Sequence, residues 1–372
     1  MKTELMTDKL FFHADHVGSL LRPVELHEAR ANARQGTIDK DALRRVEDKC
    51  IKEVVVLQEK IGLQAVTDGE FRRDWWHIDF LNGFDGVELS QTGNVYGDAK
   101  FRHMDEQPPT MTIREKIRRI NPSMLDHFKF LKSVSTHIPR FTMPSPAMLH
   151  GRADRASIDR IYPDLDEFWA DLTSAYRDEI HDLYKAGCRY LQIDDTTIAM
   201  MGDPKVQENF RKLGDDPKKD NAMYADAVNA AIRDVPEDMT VAIHTCRGNF
   251  KSTWLASGSY DYVAETVFSR LNVDAFFLEY DTDRAGGFEP LRYVPKGKTV
   301  VLGLVSSKVP ELEKKDDLKR RIDAAAKYIP LENLCLSPQC GFSSTHHGNK
   351  LTADDQWRKL GLVLDVAKSV WG

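Results

Sequence analysis

The stretch "TVAIHTCRGNF", Thr240–Phe250, begins as a β-rich apolar run and presents His244 and Cys246 two positions apart. Side chains on a strand alternate faces, so an imidazole and a thiol at i and i+2 can grip one borderline cation. Two later runs end in comparable groups: "AFFLEYD" offers Glu279 and "LCLSPQCGF" offers Cys340. One histidine, two cysteines and one carboxylate make a four-ligand set suited to Zn²⁺. Structural zinc sites favour short, closed spacings, so ligands spread from 244 to 340 suit a catalytic ion held by a preformed fold. Two thiolates and a carboxylate neutralise the ion and leave a mild Lewis acid, whereas water activation usually relies on neutral histidines. A thiol substrate fits better, because coordination deprotonates it. The chemistry expected is therefore alkyl transfer to a thiol rather than hydrolysis. Set against this, a single His-x-Cys is weak evidence and buried cysteines are commonly small hydrophobes, the reading that holds for mid-run Cys188 and Cys335.

A second set is acidic. Glu70 ends "QAVTDGEF", and Asp194 and Asp195 end "CRYLQIDD". Such residues can simply cap the next helix. Pointed into a barrel mouth they would bind a cation such as a substrate α-ammonium, with Asp194 and Asp195 as candidate catalytic carboxylates. Ser19, after Gly18, has a backbone suited to holding a carboxylate, although turn serines are common. "RRDWWH" places Arg72, Trp75 and Trp76 where they could wall a pocket or merely cover a rim. His346 and His347 read as a solvated loop.

The elements that must position these groups alternate. Eight β-rich runs, from "FFHADHVGS" to "LCLSPQC", are separated mostly by helical patterns such as Asp39 to Ile61 and Leu165 to Lys185. Parallel strands need crossover helices, so the expectation is a (β/α)₈ TIM barrel in a single domain over 1–372. A polar insertion after the second strand, about 87–136, carries a hairpin and a short helix. A doubly wound sheet competes, but no Gly-rich phosphate loop follows the first run. The last helix opens with Thr352 three residues before Asp355, a capping-box pattern.

Composition narrows the class. A net charge of -6 and a pI near 6.1 advertise no basic surface for nucleic acid or an anionic membrane. The first residues lack the apolar core of a signal peptide, and no apolar run is long enough to span a bilayer. Five scattered cysteines argue against a disulfide framework and for a reducing, cytoplasmic setting.

"HVGSLLRP", "VTDGEFRRDWW", "LQIDD", "IHTCRGNF", "LEYD" and "CGF", in this order over nearly the whole chain, resemble the catalytic barrel of the cobalamin-independent methionine synthase family. Among its members, the short, single-barrel bacterial proteins are the most similar. The resemblance implies zinc on His244, Cys246, Glu279 and Cys340, and homocysteine held by Ser19, Glu70 and Asp194, the last two engaging its amino group. It implies methyl transfer to homocysteine to form methionine. Three departures stand out. The family's Asp-Glu-Pro is here Asp194-Asp195-Thr196, the N-terminal half-barrel of the long synthases is absent, and the proton-donating histidine is matched by Val305 in "GLVSSKVP". The last departure leaves the methyl donor open between a methylfolate and a methylcorrinoid. Rival expectations are alkyl transfer to another thiol, of the epoxide:thiol transferase type, and a metal-free decarboxylase of the uroporphyrinogen type. A metal-dependent hydrolase or a non-catalytic homocysteine-binding protein are further ones.

Overall fold

The computed structural model describes residues 9–90 and 108–372. Its centre is a curled, wholly parallel sheet of seven strands in the order β1 (Ala65–Val66), β4 (Ile138–Pro144), β5 (Tyr190–Asp195), β6 (Thr240–Thr245), β7 (Ala275–Glu279), β8 (Thr299–Val305) and β9 (Leu334–Pro338). Helices cross between them, among them Leu165–Lys185, Pro217–Ala231 and Lys315–Ala325. This is the TIM-barrel-like architecture expected from the alternating runs. Strands β2 (Asp85–Ser90) and β3 (Thr110–Arg118) form a separate antiparallel pair, followed by a helix at Leu125–Val134. They fall in the segment read as an insertion, of which residues 91–107 lie outside the described residues.

The first β-rich run is not a ladder strand. Only Ala14 bridges, in parallel, to Leu336 of β9, with Asp15 N donating to Leu336 O at 3.0 Å and Leu336 N to His13 O at 2.8 Å. On its other side the His16 ring contacts Ala65 O at 3.3 Å and Thr67 Oγ1 donates to Gly18 O at 2.6 Å. The run thus fills the gap between β9 and β1, through backbone bonds to β9 and side-chain contacts on the β1 side. Its polar residues serve the barrel floor: Asp15 accepts from Arg140 at 2.6 Å and from Tyr190 Oη at 2.9 Å.

Alternation along the strands divides the core. Ala65, Tyr190, Ala242, Ala275, Phe277, Val301 and Cys335 pack together inside the barrel, and a larger outer cluster joins sheet to helices. The inward series Tyr190–Gln192–Asp194 and Ala242–His244 therefore carry polar groups to the C-terminal rim, where such barrels hold their sites. Helix ends agree with their signals: Asp39 accepts from Ala42 N, Gly187 follows Leu165–Lys185 with φ 98°, and the Thr352/Asp355 capping box is formed.

Candidate functional site

His244 is the penultimate residue of β6, and Cys246 lies just past that strand's end; Cys340 follows β9 by two residues. Their ligand atoms all lie within 4.8 Å of one another and all three are buried. Burial pushes the His244 imidazole down, but the Cys340 thiol and the Asp194 and Glu279 carboxylates lift it above its ordinary value. Burial, with Cys246 beside it, pushes the Cys340 thiol well up. His244 Nδ1 is buried without a hydrogen-bond partner. Two soft sulfurs and an imidazole at this spacing fit a zinc-like ion.

Glu279 ends β7 and is engaged by three cations. Its Oε1 accepts from Arg284 Nη2 at 2.5 Å and lies 3.5 Å from Lys308 Nζ, while Oε2 accepts from Arg247 N at 2.6 Å. Burial pushes its carboxyl up, yet Lys308, Arg247 and Arg284 outweigh that and hold it at about 2. Three of the four expected ligands converge, while the Glu279 carboxylate meets Arg247, Arg284 and Lys308, whose sequence positions gave no warning.

The metal group lines a cleft of ≈ 390 Å³ together with Ser19, Glu70, Trp76, Asp194 and Asn249. Glu70 is held at φ 59°, a conformation that L residues rarely adopt. Its Oε1 accepts from Thr142 Oγ1 at 2.9 Å, and its buried Oε2 has no partner. Asp194 Oδ1 accepts from Gln192 Nε2 at 2.7 Å. Burial, aided by Glu70, drives the Asp194 carboxyl up to about 7 despite His244. An ammonium placed between these carboxylates would satisfy the orphaned oxygen and relieve their repulsion. Ser19 approaches so closely that a Cβ on Gly341 would stand 1.8 Å from its Oγ, which explains the glycine after Cys340.

Two expected residues are corrected. Asp195 lines the cleft, but Oδ1 accepts from Ile198 N at 2.7 Å and Oδ2 from Ser145 Oγ, so both oxygens are engaged in holding the loop after β5. Arg72 points away from the mouth, paired with Asp48 and Glu47 and stacked 4.6 Å over Phe130. Trp75 and Trp76 do face a second cleft that adjoins the first, lined also by His77, Arg152, Thr196 and Phe250. His346 and His347, expected in solvent, are half-buried against Trp75, with the His347 ring also 5.0 Å from Phe250. Sequence reading missed Asn249, Arg152, His77 and Lys308. Lys308 alone gave a signal, as a lysine three residues beyond an apolar strand.

Residues 12–368 match the family described as cobalamin-independent synthase, catalytic domain. The chain belongs to this family. It is 46% identical over 366 residues to the Bacillus subtilis (strain 168) protein YxjH, itself uncharacterised, covering 97% of this chain and 95% of that one. It is 25% identical over 329 residues to the methionine synthase of Saccharolobus solfataricus, covering 87% and 86%. Among solved structures, a candidate vitamin-B12-independent methionine synthase from Listeria monocytogenes superposes with a TM-score of 0.78 at 37% identity, covering 98% of this chain and 99% of that one. A Shewanella B12-independent methionine synthase, at 18% identity and a TM-score of 0.71 over 97% and 98%, shares the fold. Among the described residues no helix is long and apolar enough to cross a membrane.

Proposed function

We propose that this single barrel is a zinc-dependent methyltransferase that converts homocysteine to methionine. The observation that carries the reading is the meeting, in one cleft, of a buried His/Cys/Cys group with the unpartnered oxygen of Glu70 and the buried carboxyl of Asp194. The first suits a thiol and the second an α-ammonium, which is the pair of groups homocysteine carries. Family membership and the similarity to methionine synthases support it. Zinc held by His244, Cys246 and Cys340 would lower the pKa of the substrate thiol, ordinarily about 8.5, and so supply a nucleophilic sulfur at neutral pH.

The chain's own residues do the rest. Glu70 and Asp194 fix the ammonium, Ser19 lies across the cleft for the carboxylate, and Asp195 holds the β5 loop that carries Asp194. The adjoining cleft, with Trp75 and Trp76 on one wall and Arg152 within it, is placed for a methyl donor with a flat ring system and negative charge, either a methylfolate or a methylcorrinoid. In the transfer the thiol proton leaves before attack, a sulfur–methyl bond forms, and the donor–methyl bond breaks with its electron pair staying on the donor, which takes up a proton if it is a methylfolate and none if it is a methylcorrinoid. Buried thiol ligands and free cysteines suit a cytoplasmic setting. The His/Cys/Cys group argues against a metal-free decarboxylase.

The test incubates zinc-loaded protein with homocysteine and each donor and follows methionine. Formation with either donor supports the reading. No methionine with both, together with turnover of an epoxide by another thiol, would replace it with the alkyl-transfer alternative.

A further inference from the structure

The two clefts meet at the mouth, and Trp76, Thr196 and Asn249 line both, so these side chains stand between the thiol and the methyl donor. Thr196 Oγ1 is taken by Arg152 Nη2 at 3.0 Å. Asn249 Nδ2 donates to Gly341 O at 2.8 Å and to Ser344 Oγ at 3.0 Å. A carbonyl can only accept, so the amide cannot turn over: the flipped form would set Oδ1 against Gly341 O. Oδ1 is left buried with no partner, on a residue only 8% exposed. An acceptor orphaned in this way is costly unless a ligand N–H or O–H completes it.

The loop that carries Asn249 is held in that pose against strain. Lys251 and Ser252 follow with φ 46° and 66°, in the left-handed region that side chains disfavour. Phe250 and Thr253 exchange backbone bonds of 3.0 and 2.8 Å across them, Ser252 N donates to Asn349 Oδ1 at 2.9 Å, and Lys350 N donates to Ser252 Oγ at 2.8 Å. Such strain clusters at ligand sites. The charged groups of the two clefts narrow what the ligand brings. In the thiol cleft Glu70 and Asp194 are claimed by an α-ammonium, and both Asp195 oxygens are engaged. Among the described residues the donor cleft is lined by Arg152 and His77 and by no carboxylate. Burial, with Arg152 beside it, holds the His77 imidazole at about 3, so it is neutral and cannot protonate a leaving group at neutral pH. A methyl group leaves a ring nitrogen readily only when that nitrogen carries a proton, because the nitrogen anion is a poor leaving group. The resulting N–H⁺ wants an acceptor that holds the proton without removing it, and a neutral amide oxygen is one.

We propose that Asn249 is a catalytic residue toward the methyl donor: its Oδ1 accepts the N–H of a protonated N-methyl ring amine, which selects a methylfolate over a methylcorrinoid. The inference rests on the proposed methyl transfer and deepens it. The donor nitrogen takes a proton from solvent on binding, and the thiol gives one up on becoming a thiolate. A sulfur lone pair then forms the sulfur–methyl bond. The nitrogen–methyl pair stays on the nitrogen, which leaves as a neutral secondary amine still bonded to Oδ1 through its hydrogen. A corrinoid has no N–H at the atom that loses the methyl group, and gains nothing from Asn249.

The test measures initial rates of methionine formation from methyltetrahydrofolate and from methylcobalamin with zinc-loaded protein across a range of pH. The unmodified chain is expected to use methyltetrahydrofolate, and Asn249→Ala to slow that reaction by about 10- to 100-fold, the loss of one hydrogen bond to a charged group. The remaining rate should also decline from a lower pH, since the variant no longer favours the protonated donor. Asn249→Ala gives up two bonds to the loop after Cys340 as well, so Ser344→Ala, which removes one of them and keeps Oδ1, should cost far less and leave the pH profile in place. A second measurement needs no variant: calorimetric titration of methyltetrahydrofolate without homocysteine, in buffers of different ionisation enthalpy at pH 7, should show proton uptake. Absence of uptake, a folded Asn249→Ala protein with unchanged rate or pH profile, or methionine from methylcobalamin alone would overturn the role of Asn249 and leave the methyltransferase standing. No methionine from either donor with the unmodified chain would overturn both.

Discussion

Among the described residues Glu70 is one of three non-glycine residues with positive φ, and the one of these that carries a buried, unpartnered carboxylate oxygen. Strain and a missing partner at one residue indicate a group kept ready for a ligand. Glu70→Gln should therefore weaken homocysteine by roughly 10- to 100-fold, corresponding to about 1.5–3 kcal/mol for a charged hydrogen bond, without loss of metal. Calorimetric titration beside metal analysis checks it, and unchanged affinity would remove Glu70 from the ammonium site. Cys246→Ser or Cys340→Ser should each lose most bound metal on dialysis while the barrel still melts cooperatively, because the ligands sit on a preformed fold. Full metal retention in the double variant would reject the site. The rim positions of Asp194, His244, Cys246 and Cys340 were legible because strand alternation and strand ends place them, whereas Ser19 and Glu70 sit in loops outside the strands. The contacts of Arg72, Asp195 and Glu279 were not, since Asp48, Ser145 and the cations that claim them come from remote segments.

The helix Pro217–Ala231 begins with an Asp216 cap and carries Asp220 in its first turn, favourable ground for a carboxylate. Even so, burial, with Asp215 nearby, drives the Asp220 carboxyl up to about 7, and its Oδ2 lacks a partner. A carboxyl whose folded pKa is raised binds more protons folded than unfolded between the two values. Its contribution is thus favourable at low pH and is lost as pH rises from about 3.8 towards 7. Asp220→Asn should consequently raise the melting temperature more at pH 8 than at pH 5, and an equal shift at both would show that the charge is not the cause. Helices of this kind were legible from caps and spacing. The first run was not, because a pattern of apolar residues with two histidines does not distinguish a ladder strand from a segment tethered by side chains such as Asp15.

The barrel as a whole decides what one substitution can reach. The register of β8 slips between Gly303 and Val305, and Val305 packs fully buried in the outer core rather than at either cleft. Val305→His should then destabilise by about 1–3 kcal/mol through overpacking and bring no gain with a methylfolate. Denaturant midpoints and initial rates test both, and a faster folate reaction would place that side chain in the cleft after all. At the mouth one side chain joins two loops that also share backbone bonds, His346 N donating to Asp74 O at 2.7 Å and Trp76 N to Ser344 O at 3.4 Å. Arg22 Nη2 donates to Glu70 O at 2.8 Å and Arg73 O at 2.6 Å, while Nη1 donates to Ser343 O and Thr345 O, both at 3.2 Å. One guanidinium therefore holds the loop bearing Glu70 and Trp76 to the loop following Cys340. Lysine cannot span four carbonyls in that plane. Arg22→Lys should make the amides of both loops exchange with deuterium at one common, faster rate, so that Glu70, the two tryptophans and the loop after Cys340 loosen as a single unit.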